Sequence, residues 1–142
     1  MSVAEIVISC FVVIELSNVV TMYFIPGSRK ANSVGVFTAW EKSRHYPEIH
    51  DFVKYLVYWV AGTKLIFILL LVAIVLFATP DIQRICLVIL AVTTASFYWR
   101  LFPLIRKMDR NQEIEPKNYS RTLGVLIAIF IAAFLAAAFS SS

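Results

Sequence analysis

Four near-continuous apolar stretches, at about 3–25, 52–78, 82–104 and 122–139, leave this chain few folds. Each has the roughly 17–25 residues that an α-helix needs to cross about 30 Å of hydrocarbon. Lipid offers the backbone no hydrogen-bond partners, so such runs must satisfy their own amides and carbonyls as helices. Composition agrees, with 60% of 142 residues apolar and 15% charged. One soluble core of that size does not hide so much apolar surface. The sequence therefore predicts a single all-α integral membrane domain, 1–142. Its four transmembrane helices run up and down as an antiparallel bundle.

Punctuation sharpens the boundaries. Pro26-Gly27 ends the first helix, and Pro47 opens the second with Glu48 and Asp51 in the first turn, where negative charge suits the helix dipole. Thr79-Pro80-Asp81 is a compact turn that makes helices two and three neighbours. Pro103 ends or kinks helix three, and Pro116 with Asn118 or Ser120 introduces helix four. The expected spans are about 3–25, 47–78, 80–104 and 120–139, with loops at 26–46 and 105–119.

The basic residues sort by loop. Arg29, Lys30, Lys42, Arg44 and Lys54 flank the first loop; Arg100, Arg106, Lys107, Arg110, Lys117 and Arg121 flank the third. The middle turn has only Arg84, and Lys64 lies inside helix two. Loops rich in lysine and arginine stay in the cytoplasm, which predicts both termini on the non-cytoplasmic face. A net charge of +4 is thus read as membrane topology rather than nucleic-acid binding. The Asn118-Tyr119-Ser120 sequon faces the wrong compartment for glycosylation. The N-terminus lacks the basic start of a cleaved signal, and Val7-Ile8-Ser9-Cys10 lies too near Met1 for a lipoprotein box. A prokaryotic plasma membrane is the expected setting.

Within the first loop, Val34, Val36, Phe37 and Trp40 alternate with Glu41, Lys42 and Arg44. This pattern predicts a short amphipathic interfacial helix anchored by Phe37 and Trp40. Tyr55, Tyr58, Trp59, Tyr98 and Trp99 form an aromatic belt at the same level.

Ionisable groups at mid-bilayer cost about 2.5–3.5 kcal/mol each, so Glu15 in helix one and Lys64 in helix two demand a reason. Both fall at similar depth, roughly 15 Å from the cytoplasmic boundary at 1.5 Å per residue, which predicts an ion pair. Asn18, Thr63, Thr93 and Arg100 join them as the candidate intramembrane polar site, with the interior lined by helices one, two and three. In helix four, Gly124, Ala128, Ala132 and Ala136 recur every fourth residue, a stripe that lets helices pack closely.

No phosphate loop, catalytic triad or redox motif is present. Cys10 and Cys86 both lie in apolar segments without metal or disulfide spacing. Glu41 and His45 share a face, but Pro47 breaks the helix before Glu48, His50 and Asp51 make a ligand set. The expectation is no cofactor, metal or catalytic residue, with the bilayer and a second copy or larger membrane complex as partners. The function expected is a self-associating or accessory membrane subunit, with transport of protons or a small solute through Glu15 and Lys64 as the alternative.

Two resemblances widen that alternative. Small multidrug resistance transporters are also four-helix proteins with a glutamate within helix one, here matched by Glu15. The membrane-associated eicosanoid and glutathione metabolism proteins are similar in size, helix number and first-loop length. Arg44-His45 and Arg100 loosely resemble arginines that those enzymes use around glutathione. Pro47 and His50 stand where that family has an asparagine-and-glutamate pattern. The second resemblance implies a membrane enzyme.

Overall fold

A computed structural model describes residues 1–140. It is all-helical, and an isolated bridge between Phe37 and Ile114 is the sole strand-like pairing among the described residues. In chain order the elements are α1 (Val3–Phe24), a 3-10 turn (Val34–Val36), α2 (Thr38–Ser43), α3 (Pro47–Phe77), α4 (Pro80–Ala95), α5 (Phe97–Arg110) and α6 (Tyr119–Phe139). α4 and α5 together form one long segment, so four helices are long and apolar enough to span a membrane. This is a membrane protein by length and composition. Its outer faces agree: Ile66, Leu69, Leu70 and Val92 are each at least 60% exposed. Water would penalise that surface and lipid would not.

Local chemistry sets each start. α1 begins with a reciprocal cap in which the Glu5 amide donates to the Ser2 hydroxyl and the Ser2 amide to the Glu5 carboxylate. Pro47 and Pro80 each occupy the first turn of their helix, where the missing amide proton costs nothing. α6 starts differently: Asn118 takes a left-handed φ of 65°, which asparagine tolerates. Its first amides are capped from a distance, by Asp109.

The third span does not end at Pro103, and its helix is interrupted earlier, at Ser96. Thr93 Oγ1 donates back to the Ile89 carbonyl and Ser96 Oγ to the Thr93 carbonyl. Hydroxyls that bond into the preceding turn compete with the helix ladder and bend it. Pro103 sits inside α5, which continues to Arg110 and shortens the expected third loop.

The most populous buried cluster among the described residues lies where the start of α1 meets α4 and α6. Ile8, Phe11, Leu87, Leu90, Phe134 and Ala137 form that core, and Phe11 meets Phe134 edge to face with centroids 5.1 Å apart. A second core of Val19, Met22, Val57, Ala61 and Ile68 joins α1 to α3. The third lies between the loops, where Val36 and Ile114 are buried beside Ile105. There the Thr38 amide donates to the Glu113 carbonyl and the Glu115 amide to that of Val36. The two basic loops are thereby sewn together.

Candidate functional site

Glu15 and Lys64 do meet. The Lys64 ammonium donates to one carboxylate oxygen of Glu15, and the Asn18 side-chain amide donates to the other at 3.3 Å. The α1–α3 core just described holds the two helices close enough for this. Gly62 helps, since its absent side chain leaves room for the Tyr23 hydroxyl 3.2 Å from where a Cβ would stand. Burial is substantial, with the Glu15 side chain 13% exposed and that of Lys64 25%. A charge so placed favours a partner strongly, because each alone would be left poorly solvated.

The pair does not end in packed side chains. It forms part of the wall of a cavity of about 690 Å³. Thr93 and Thr94 of α4 and Arg100 of α5 line the same space, together with Asn18. Arg29 lines it from the first loop, where it pairs with Glu115 at 3.1 Å. Cavity and break go together: α4 gives way to α5 at Ser96, which itself lines the space.

Electrostatically the site is lopsided. Glu15 and Lys64 offset one another and Arg29 is matched by Glu115, whereas Arg100, which also lines the cavity, makes no salt bridge among the described residues. Much of the remaining wall is apolar, from Phe11, Phe67, Leu90 and Phe130 among others. Such a space suits a small molecule with an apolar body and an anionic or polar end.

Of the expected polar residues, Glu15, Asn18, Lys64, Thr93 and Arg100 converge on this cavity. Thr63 does not: it is exposed and its hydroxyl donates to the Trp59 carbonyl of its own helix. α6 also lines the space, with Leu123, Leu126, Ile127 and Phe130 and with Tyr119 and Thr122, so the lining extends beyond helices one to three.

Other candidates lie elsewhere. On α6, Gly124 is buried against Phe102, whereas Ala128, Ala132 and Ala136 are exposed. The face of α6 turned into the core uses Phe134, Ala137 and Ala138 instead. Phe37 is half-buried, and Trp40 is 5% exposed, folded between Gly27 and the His50 ring. Ser43 Oγ lies 2.7 Å from the Trp40 carbonyl oxygen and 2.8 Å from His50 Nδ1, joining the two. Arg44 pairs with Glu41 at 3.3 Å, and neither Arg44 nor His45 lines the cavity. Among the described residues no three His, Cys, Asp or Glu side chains converge as a metal site would require.

Several structural groups escaped the sequence reading. Gln83, 2% exposed, points its amide nitrogen at the Ile74, Val75 and Ala78 carbonyls at 3.4–3.5 Å, covering the end of α3. The Tyr98 hydroxyl donates to the Gly124 carbonyl, tying α5 to α6. Only the Ser2–Glu5 spacing carried a readable signal, that of a capping box. Comparison adds no outside guide, since no family model, curated protein or solved structure matches this chain.

Proposed function

We propose that this chain binds a small amphiphilic solute with an anionic group in its mid-membrane cavity, without catalysing chemistry of its own. The observation that carries the reading is the 690 Å³ space against the Glu15–Lys64 pair. An ion pair serving only to fix helix register needs no cavity beside it. Arg100 would hold the anionic end, the Glu15–Lys64–Asn18 cluster would take polar groups, and the phenylalanines would contact the apolar body. Passage of such a solute, or of protons, across the membrane follows naturally if the cavity opens alternately to each side.

The up-and-down arrangement belongs to this proposal. Its support is that the first and third loops are hydrogen-bonded together, so both basic segments lie at one end. That end would be cytoplasmic, with α2 lying at the membrane surface and both termini facing out.

The test is a thermal-shift series on purified protein with short aliphatic and aromatic carboxylates at millimolar concentration, followed by flux of any binder into liposomes. A binder should raise the melting temperature of the native protein and fail to do so in a folded Arg100→Gln variant. If no carboxylate stabilises the protein, the solute-binding reading is wrong.

Self-association is a second reading with its own observation. Ala128, Ala132 and Ala136 form an exposed small-residue stripe on α6 that the chain's own core leaves uncovered. Between two copies such a stripe would allow close helix approach.

A further inference from the structure

A second cavity, of about 850 Å³, lies between α5 and α6. Arg106 and Arg110 stand one turn apart on α5 and so share a face. Lys117 from the intervening loop and Arg121 from the first turn of α6 complete the set. All four line one space, against a single carboxylate, Asp109. That carboxylate already accepts from the Asn118 amide and from both the amide and the hydroxyl of Ser120. Among the described residues, the salt bridges engage Arg29, Arg44, Lys54 and Lys64 and none of these four.

Topology alone does not require this arrangement. Cations anywhere in a cytoplasmic loop satisfy the positive-inside pattern, as Lys30 and Lys42 do without sharing the cavity. Arg121 also stands at the helix end where the dipole disfavours positive charge. A bound anion would relieve both repulsions.

The cavity has two chemical ends. Below the basic rim its wall turns apolar, with Tyr98, Phe102, Gly124, Val125 and Ala128. Since α5 ends and α6 begins here, the rim lies at one end of the last two candidate spans. We propose that this cavity binds an anionic phospholipid, its phosphate held by Arg106, Arg110, Lys117 and Arg121 and an acyl chain laid along Val125 and Ala128. Guanidinium groups match phosphate oxygens in pairs, and anionic leaflets enrich such ligands near basic segments. The inference rests on the helices spanning a bilayer and is independent of the Glu15–Lys64 cavity.

Native mass spectrometry of the full chain in neutral detergent tests it, with phosphatidylglycerol, phosphatidylcholine and inorganic phosphate as probes. Phosphatidylglycerol adducts should exceed phosphatidylcholine adducts by about tenfold, equivalent to about 1.4 kcal/mol. Millimolar inorganic phosphate should not displace them. Arg106→Gln, Arg110→Gln and Arg121→Gln combined should abolish the preference, whereas Lys30→Gln, Lys42→Gln and Arg44→Gln combined, with equal charge loss, should keep it. Val125→Phe, which fills the chain path without touching charge, should lower phosphatidylglycerol adducts and serves if the triple variant does not fold. Equal adducts of the two lipids, parallel loss in both triple variants, or displacement by inorganic phosphate would overturn the proposal, the last pointing to a free-anion site.

Discussion

The Asp109 carboxylate accepts the Ser120 amide at 3.0 Å and the Ser120 hydroxyl at 2.6 Å, bridging the end of α5 to the start of α6. The other carboxylate oxygen takes the Asn118 amide at 3.1 Å. Two helices separated by a polar loop are thus fixed by one side chain that supplies the negative charge a helix start prefers. The adjoining basic cavity is assembled on that bridge.

Replacing Asp109 by alanine is therefore expected to destabilise the protein by about 1 kcal/mol, the usual magnitude for a lost cap. Asparagine, which still accepts a hydrogen bond, should recover part of the loss. Unfolding by denaturing detergent, followed by circular dichroism, measures both. An unchanged midpoint for the alanine variant would show that the cap contributes nothing.

Lys64→Met leaves the Glu15 carboxylate in the bundle without its cation and with the Asn18 amide as its remaining hydrogen-bond donor among the described residues. A cost of about 2–3 kcal/mol is expected, since breaking a buried pair strands a charge. Adding Glu15→Gln should restore most of that stability, because no uncompensated charge remains. If the proposed function is right, the double variant folds but no longer binds solute. Stability and ligand shift measured on the same samples separate these effects.

Two glycines of the first loop should tolerate no side chain. A Cβ on Gly27 would stand 2.5 Å from Trp40 Nε1, and one on Gly35 would collide with the Gly27 backbone carbonyl. Gly27→Ala is expected to cost about 1–3 kcal/mol, as overpacking does. Trp40→Phe should relieve it by removing the indole nitrogen. Gly35→Ala should be worse and not rescued, since main chain cannot step aside. Melting temperatures of the four variants decide the order.

On α6, the effects should divide by face. Phe134 is fully buried against Phe11, so Phe134→Ala should cost about 3 kcal/mol of stability. Ala132→Leu should leave the single chain's stability unchanged, because Ala132 is exposed. If α6 forms the contact between copies, that same change should lower the mass of the native species in detergent. An oligomer of unaltered mass would remove the stripe from the interface.

Apolar runs alone established the four spans, because a helix that must satisfy its own backbone in lipid is a local property of about 20 residues. Glu15 and Lys64 could also be matched in advance, since depth follows from counting residues along straight helices. Other features depended on how those helices sit against one another. Pro103 pointed to an end or kink of helix three, yet the helix runs on through it to Arg110 and is interrupted at Ser96, where side-chain hydroxyls bond back into their own turn. Phe37 and Trp40 carry an amphipathic pattern, but Trp40 turns inward because Gly27 and His50 make a place for it. Nothing near Asp109 in the sequence announces that it caps α6, and nothing in the loop charges announces that four share one cavity. Those are long-range outcomes of packing: periodicity sets which elements form, and only contact between elements sets which side chains meet.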